Sequence, residues 1–383
     1  MTERQLPAAV ARVGSAAWVG EALAAHWAVP PEQARPVPFA NGTGAPLSHT
    51  AGLWRIVHQG RDHVFKVQLT AEAARAPRFH ELKQQVLAHC LRAGVPVPLA
   101  VPTVTGAAAA RQDGHPCELL PLAPGAATAR PSAAQARAVT TAGLRLRAVL
   151  DGLPAELAEE LAPLPVPALV AEPDWRRALA DGVDRLLPLA RSRDDPWGRL
   201  AGSALAGLAA ARPWLPAAAE PPGTARRRSR VIHADLHHHH FLFAATGRPA
   251  VTAVLDFDNL TVGDPLLDLA WVAETAARVD GGAARRESVA DFLTRARNAG
   301  LLAPGEERLL MPRLIVHAVP VVVDIAKDIL ERELLSPAWA GYLDLLDTRR
   351  RLALHRLLTS AVPDPHAART LPDTDLPRTD DDR

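Results

Sequence analysis

Cysteine, lysine and net charge are all scarce in this sequence, and the low cysteine count and low net charge each argue against a class of protein. Two cysteines, Cys90 and Cys117, cannot form a disulfide framework, and the absence of a CxxC pair argues against a structural zinc site. The formal net charge is +1, which gives no electrostatic reason to expect nucleic acid or an anionic membrane as a partner. Lysine occurs only at positions 66, 83 and 327, so each lysine is a candidate for a specific role.

Targeting and membrane signals are also missing. The first residues, MTERQLPAAV, lack the basic region and apolar core of a secretory signal. The longest apolar runs, such as LIVHAVPVVVDIA, are interrupted by His, Pro and Asp, which predicts no membrane span. Hydrophobic residues make up 48% of the chain, enough to bury one or two sizeable cores. We therefore expect a globular, cytoplasmic protein with two domains or two lobes.

Stretches of different periodicity follow one another along the chain. Residues 5–28 have the apolar spacing of a helix. The β-rich runs LWRIV and HVFKVQL, separated by HQGRD, predict a hairpin, and FHELKQQVLAHCLRAG predicts an amphipathic helix that ends at Gly94. CELLPLAPG predicts a strand that runs into a connector. From about residue 133 the pattern is mainly helical, apart from a β-rich island over residues 231–257.

This order predicts an α+β fold with two lobes, a small β-rich lobe followed by a larger and mainly helical one. The predicted nucleotide-binding lobe, with its leading helix, covers residues 1–122. The predicted helical lobe, with the catalytic loop and acceptor site, covers residues 123–363, and a disordered acidic tail follows at 364–383. A nucleotide can bind in the cleft between two such lobes.

Two acidic segments of the β-rich island suit phosphoryl transfer. VIHADLHHHHFLF places Asp235 in a polar turn between apolar runs, with His240 five residues later. The apolar strand TAVL then delivers Asp256 to its end, where a carboxylate could hold a divalent cation that bridges phosphate oxygens.

Phosphoryl transfer also needs a cation and a flexible backbone loop on the phosphates. Lys66 lies in the middle of HVFKVQL and shares one face of that strand with Val64 and Gln68. The upstream turn NGTG, with Gly42 and Gly44, has the backbone freedom that a phosphate-covering loop requires. These residues are the predicted phosphate-binding groups.

The combined pattern resembles the aminoglycoside phosphotransferase-like kinase family, which has the protein-kinase-like two-lobed fold and includes antibiotic, choline, homoserine and sugar kinases. The resemblance rests on H-x-D-x-x-x-x-[N/H], a hydrophobic strand, D-F-D and G-D-P-x-x-D-L-A, over about 40 residues. The matching residues are His233, Asp235, Leu236, His237, His240, Asp256, Phe257, Asp258, Gly263, Asp264, Pro265, Asp268 and Leu269.

The resemblance assigns roles in the helical lobe. It implies that Asp235 is the catalytic base or the residue that orients the acceptor hydroxyl. It implies that Asp256 is the main metal ligand and that His240 occupies the second metal position. Asp264 and Asp268 would stabilise the loop or begin a helix.

The resemblance also assigns roles in the β-rich lobe. It implies that the strand lysine binds the α- and β-phosphates of ATP or GTP. Its ion-pair partner is expected in the next helix, where Glu81 is the acidic candidate and Gln84 or Gln85 could occupy the same position instead. Backbone groups near Leu120 and Leu122 of the connector would meet the base, which does not distinguish ATP from GTP.

The run of four histidines, residues 237–240, has three explanations. A transition-metal cluster could use at most two or three of them, because adjacent residues of an extended loop point in alternate directions. A purification tag is excluded because the run lies inside the motif. By the resemblance, His238 and His239 replace a Pro-Gly turn and His240 replaces a metal-binding Asn. Mg²⁺ prefers oxygen ligands, whereas imidazole prefers metal ions that are softer than Mg²⁺. The replacement therefore shifts the expected metal from Mg²⁺ toward Mn²⁺.

The expected acceptor is a hydroxylated small molecule, such as a macrolide-like or aminoglycoside-like antibiotic or another natural product. The segment DIAKDILERELL places Asp324, Asp328 and Glu331 on one helical face, which would suit a polycation or simply face solvent. The apolar segment MPRLIVHAVPVVV could line a pocket for a hydrophobic acceptor or pack in the core. Two alternatives remain, a Ser/Thr kinase of a ribosomally made peptide and a nucleotide-binding pseudokinase.

Overall fold

The fold consists of an antiparallel sheet with two flanking helices, followed by a mainly helical region. The computed structural model describes residues 13, 15–30, 36–38, 51–69, 74–166, 174–220, 229–247 and 249–360. The strands are β1 Val37–Pro38, β2 Ala51–His58, β3 Arg61–Gln68, β4 Ala110–Gln112, β5 His115–Pro121, β6 Arg230–Ile232, β7 Phe241–Phe243, β8 Val251–Val254 and β9 Thr261–Gly263.

The described helices are numbered in chain order. They are α1 Ala16–Trp27, α2 Pro77–Arg92, α3 Ala133–Asp151, α4 Ala155–Leu161, α5 Trp175–Ala180, α6 Leu187–Ser192, α7 Pro196–Ala211, α8 Leu215–Ala219, α9 Leu266–Ala276, α10 Gly282–Asn298, α11 Glu307–Leu330, α12 Ala338–Leu345 and α13 Thr348–Ser360. A π-helical segment, Asp181–Leu186, joins α5 to α6, and short 3₁₀ turns cover His238–His240 and Phe257–Asn259.

The N-terminal sheet has the strand order β1-β2-β3-β5-β4, and each neighbouring pair is antiparallel. The predicted hairpin is formed by β2 and β3. Its two-residue turn places Gln59 and Gly60 at φ 50° and 71°. A turn with positive φ at both central residues has a backbone twist that matches the right-handed twist of the two strands in a tight hairpin. The hairpin prediction is therefore confirmed.

Strand β3 presents two chemically different faces. Phe65 and Val67 are fully buried in a core that they share with Trp18 and Trp27 of α1. Because successive side chains alternate across a strand, Lys66 points to the opposite face of the sheet. Helix α1 therefore closes the apolar face, and the other face is left for the polar site.

Helix α2 begins with a proline and ends before Gly94, where the sequence predicts its end. Pro77 occupies its first turn, and Gly94 adopts φ 76° two residues after its last residue. A Cβ at Gly94 would meet only the mobile guanidinium of Arg145, so glycine is favoured here by its positive φ. The buried face of α2 joins the larger core of the helical region.

Helix α11 lies at the centre of the helical region and contains the longest apolar run that the sequence singles out. By length and composition it could cross a membrane, but 67% of its most apolar window is buried inside the protein, as in a core helix. It packs against α7, α9 and α13. The helix continues through Pro312 and Pro320, so the two prolines do not end it. Packing on several sides outweighs the local cost of proline.

The predicted β-rich island consists of two small antiparallel sheets. Strand β6 pairs with β9, and β7 pairs with β8. The turns that follow β6 and β8 hold the segments that the sequence singles out. The lobe boundary at residues 122 and 123 stays a prediction, and the expected tail at 364–383 lies outside the described residues.

Candidate active site

The loop after β6 is fixed by a buried ion pair. Asp268, on α9, accepts hydrogen bonds from the backbone N–H groups of His233 and Ala234, each at 3.0 Å. The same carboxylate contacts the guanidinium of Arg147 at 2.7 Å, and both side chains are 1% exposed. Arg147 also donates to the carbonyl of Val231. Asp268 is thus a loop-stabilising residue, as expected, and its partner Arg147 was not found from the sequence.

Two residues of the site have strained backbones. Ala234 and Asp256 adopt φ 68° and 62°, in the left-handed region that residues other than glycine rarely occupy. His233 holds the two loops together, since its Nε2 lies 2.9 Å from the Leu255 carbonyl and its Nδ1 accepts from the Asp235 N–H at 3.3 Å. Strain of this kind persists only where surrounding contacts over-determine it, and it concentrates at functional sites.

The Asp235 carboxylate is held by the segment that follows Asp256. Asn259 donates its Nδ2–H to Asp235 Oδ2 at 3.2 Å, and the Asp235 side chain is 31% exposed. The charge of Asp235 also acts on His317 of α11, although burial is the stronger effect and lowers the pKa of His317. Helix α11 therefore lies close to the predicted catalytic residue.

Lys66 joins the sheet to the D-F-D segment. Its Nζ lies 2.8 Å from Asp256 Oδ1 and 2.9 Å from Asp258 Oδ2, and the lysine side chain is 13% exposed. Burial alone would lower the pKa of Lys66, but the two carboxylates outweigh it and raise that pKa. Burial likewise opposes ionisation of Asp256, yet Lys66 brings its pKa down to about 2. All three groups are charged at neutral pH.

Lys83, on α2, contributes a second buried cation. Its Nζ contacts Glu118 Oε2 at 2.7 Å and Asp258 Oδ1 at 2.8 Å. Asp258 therefore lies between two ammonium groups, and its pKa falls well below the ordinary value despite burial. Glu118, in β5, has His80 Nδ1 as a further neighbour at 3.3 Å. The result is a continuous network of charges from the sheet to the D-F-D segment.

The expected pair between Lys66 and Glu81 does not form in this structure. Glu81 lies on the outward face of α2, 51% exposed, and contacts Arg78 one turn earlier at 2.7 Å. Side chains two residues apart on a helix point to opposite faces. Because Glu81 points outward, Lys83 points inward toward the site. Gln84 is occupied with the backbone of Ala100. The acidic partners of Lys66 come from the D-F-D segment instead.

Gln68 and Arg75 complete the support of that segment. Gln68 Nε2 donates to Asp258 Oδ2 at 3.2 Å, and the Arg75 guanidinium donates to the carbonyls of Asp258 and Leu260. Sequence reasoning missed Gln68, Arg75, Lys83, Glu118 and Asn259. The scarcity of lysine was a signal for Lys83, and alternation along β3 placed Gln68 on the correct face. No comparable signal exists for the other three.

The histidine run forms a tight turn beside Asp235. His237 Nδ1 accepts from the His239 N–H at 3.3 Å, which begins the 3₁₀ turn. His240 Nδ1 lies 2.6 Å from the Asp235 carbonyl, and because a carbonyl only accepts, this nitrogen carries the proton. His240 Nε2 is then a bare acceptor, 3.6 Å from Asp256 Oδ2. The structure therefore brings the two predicted metal ligands together.

Other predicted residues are placed less decisively. Gly42 and Gly44 lie outside the described residues. Leu120 and Leu122 are half-buried at the end of β5, and the Leu122 N–H is already donated to the Asp62 carbonyl at 3.0 Å. The Leu122 N–H is therefore not free to contact the nucleotide base in this structure. The predicted contact with the base is left to the other backbone groups near Leu120 and Leu122.

The acidic face of the C-terminal half of α11 is neutralised. Asp324 and Asp328 contact Arg332 at 3.1 and 2.5 Å, and Glu331 contacts Arg185. These carboxylates are already paired with arginine. The face therefore gives no support to binding of a polycationic acceptor, and the solvated-face interpretation accounts for it.

Comparison with known proteins decides the family. The sequence profile of the phosphotransferase enzyme family matches residues 46–309, more than half of the chain. The chain belongs to the phosphotransferase enzyme family. Comparison with curated protein sequences gave no match. The predicted kinase activity follows from the family, so this protein is a kinase.

Solved structures confirm the predicted fold of this kinase. A microcompartment-associated aminopropanol kinase is similar with a TM-score of 0.60 and 15% identity, covering 91% of this chain and 98% of that one. A spectinomycin phosphotransferase, solved with ADP and spectinomycin, has a TM-score of 0.56 and 11% identity, with coverages of 90% and 97%. An amicoumacin kinase, solved with AMP-PNP and Ca²⁺, has a TM-score of 0.55 and 13% identity, with coverages of 88% and 92%. At these identities the likeness establishes the two-lobed kinase-like fold.

Proposed function

We propose that this kinase transfers the γ-phosphoryl group of ATP or GTP to a hydroxyl group of a small molecule, with an antibiotic or another natural product as the acceptor. The observation that carries the proposal is the convergence of Asp235, Asp256 and Lys66 from three separate segments of the chain. Solved relatives of the same fold act on spectinomycin and amicoumacin, according to their names, which supports a compound of this size as the acceptor.

Lys66 is the proposed phosphate-binding cation, and Asp258 is the carboxylate proposed to stay paired with it when nucleotide is bound. Lys66 contacts two carboxylates, so phosphate oxygens can replace one of them without leaving the ammonium unpaired. Asp258 is the better candidate to remain, because Lys83 and Gln68 also hold it in place. A fixed acidic partner keeps the lysine oriented and ready, which is the contribution that preorganised charge makes to phosphoryl transfer.

Asp256 and His240 are the proposed ligands of a divalent cation, Mg²⁺ or Mn²⁺. The bare Nε2 of His240 faces the carboxylate of Asp256, and two acceptors that face each other fit a cation between them. Burial lowers the pKa of His240 to about 3, so the ring is neutral and its lone pair is available. Such an ion neutralises charge on the phosphates when bound.

Asp235 is the proposed residue that orients the acceptor hydroxyl and accepts its proton. Asn259 fixes one carboxylate oxygen, and the partial exposure of the side chain leaves the other accessible to an acceptor. The nearby surface of α11, which includes His317, is the proposed side of the acceptor site. The predicted lobes at residues 1–122 and 123–363 remain part of this proposal.

The proposal is tested by a nucleotide-consumption screen. ATP or GTP is supplied with Mg²⁺ or Mn²⁺, against hydroxylated antibiotics, other natural products and Ser/Thr-containing peptides. Asp235→Asn serves as the control for every positive reaction, and mass spectrometry of the product must show one added phosphoryl group on a hydroxyl. Phosphorylation of peptides in place of small molecules would refute the proposed acceptor class, and consumption that survives in Asp235→Asn would refute the proposed site.

A further inference from the structure

We propose that Asp235, His237 and His240 form a binding site for Zn²⁺, and that its occupancy inhibits phosphoryl transfer. The donor atoms of these three side chains lie within 4.8 Å of one another. Two ligand atoms of one tetrahedral Zn²⁺ ion lie about 3.4 Å apart, since each bond is about 2.1 Å long. The cluster therefore has to contract by up to about 1.4 Å to hold the ion.

The donor set suits zinc better than magnesium. Two imidazoles and one carboxylate make three protein ligands, which leaves a fourth position for water in a tetrahedral site. Magnesium instead requires oxygen ligands in near-octahedral geometry. His237 and His240 are both buried, and their ring centroids lie 3.7 Å apart, so the two imidazoles share one small space beside Asp235.

Each ring is already oriented by a second contact. The Nδ1–H of His240 is donated to the Asp235 carbonyl, and zinc-binding histidines commonly donate their other ring N–H in this way. His237 differs, because its Nδ1 accepts from the His239 N–H and its Nε2 therefore carries the proton. To bind zinc through Nε2, His237 moves that proton to Nδ1 and gives up one long hydrogen bond of 3.3 Å. His240 is thus the stronger of the two imidazole ligands.

Two other histidines nearby do not belong to the site. His233 uses both ring nitrogens on the backbone of the adjoining loops. His239 lies within the same run, but its ring packs against His238 at a tilt of 40°, with centroids 4.0 Å apart, and it is absent from the cluster of donor atoms. His239 is therefore a control from the same histidine run that is exposed and takes no part in the cluster.

Inhibition follows from the overlap of this site with the proposed catalytic groups, and this part rests on the proposed function. His240 Nε2 has one lone pair, so it cannot serve zinc and the cation facing Asp256 at the same time. Asp235, once a zinc ligand, no longer accepts a hydrogen bond from the acceptor hydroxyl. Zinc should therefore inhibit even when Mg²⁺ is in large excess.

The test measures Zn²⁺ binding by competition with a chromophoric chelator, on the full chain without nucleotide or acceptor. We expect one zinc ion per chain. The zinc affinity should fall at least tenfold in Asp235→Asn, His237→Asn and His240→Asn, because loss of even a residue that only hydrogen-bonds to a metal ligand lowers metal affinity by about 10–100-fold. Asn at position 237 keeps an acceptor for the His239 N–H, so this turn is preserved. His239→Ala should bind zinc as wild type does.

A second measurement uses Co²⁺ alone as a spectroscopic probe, because its visible absorption reports the number and type of ligands. We expect the spectrum of a low-coordinate site with nitrogen ligands in wild type and in His239→Ala, and its loss in the three ligand variants. Wild-type affinity in any ligand variant, or an equal loss in His239→Ala, would overturn the site. Neither measurement involves turnover. Both therefore test the zinc site separately from the proposed acceptor and the proposed phosphoryl transfer.

Discussion

Replacing Lys83 by methionine should lower the free energy of unfolding far more than the replacement of a single lysine ordinarily does. Lys83 is the central cation of the buried network, with a side chain that is 6% exposed. Methionine keeps the length and apolar stem of the side chain and removes the charge. The loss of that charge removes the ammonium that contacts Glu118, whose side chain is 4% exposed and has His80 Nδ1 at 3.3 Å as a further neighbour.

The expected loss is about 3–5 kcal/mol of unfolding free energy. Lys83 makes two charged contacts, at 2.7 and 2.8 Å, and at an effective dielectric constant of about 20 each supplies roughly 6 kcal/mol of gross attraction. Desolvation of the ammonium offsets much of that sum. Asp258 keeps Lys66 as a partner, so the uncompensated charge that remains is chiefly that of Glu118.

Urea unfolding measured by circular dichroism gives the free energy, and hydrogen exchange of β3 and β5 peptides locates the loss. Lys327→Met is the matched control, since Lys327 has one carboxylate partner, Asp181 at 2.8 Å, and is 30% exposed. That variant should lose about 0–1 kcal/mol. The double variant Lys83→Met/Glu118→Gln should be more stable than Lys83→Met, because no charge is left unpaired. Equal losses in Lys83→Met and Lys327→Met would refute the reasoning, and so would strictly additive losses in the double variant.

Three further predictions concern single groups of the site. Asp235→Asn should lower kcat by about 100-fold or more while nucleotide binding, measured by calorimetry, survives. Lys66→Ala should raise the nucleotide KM and lower kcat together, and steady-state kinetics unchanged from wild type would remove it from the phosphate site. Burial raises the pKa of Glu118, but Lys83 and His80 outweigh it and hold that pKa below its ordinary value of 4.5. The stabilising effect of this pair is therefore complete above about pH 5 and is lost as the pH falls through the folded pKa, and acid titration of Glu118→Gln should lack this component.

Much of the fold could be predicted because local rules and tertiary contacts agree there. The β2–β3 hairpin has two β-rich runs and a turn with glycine, and α2 has a proline at its start and Gly94 after its end. Helix α11 is the opposite case. Its two prolines favour a break locally, and only burial against several other helices keeps it continuous.

The candidate site divides in the same way. The proximity of Asp235, Asp256 and Lys66 could be predicted because a specific motif and the alternation of a strand fix their positions. The partner of Lys66 could not be predicted, since acidic residue type in the next helix suggests Glu81, whereas the rotation of the helix presents Lys83. Ion pairs across 175 to 190 residues of sequence depend on how the segments pack, which no local pattern contains.

The contact between Lys66 and Asp256 has a thermodynamic consequence. Lys66 occupies one oxygen of the carboxylate proposed to bind the divalent cation, so ammonium and cation compete for the same charge. Phosphates that draw Lys66 away make Asp256 a better cation ligand, and by linkage the cation must improve nucleotide affinity by the same factor. Nucleotide and cation are therefore expected to load cooperatively, and each alone should bind more weakly than it does in the presence of the other.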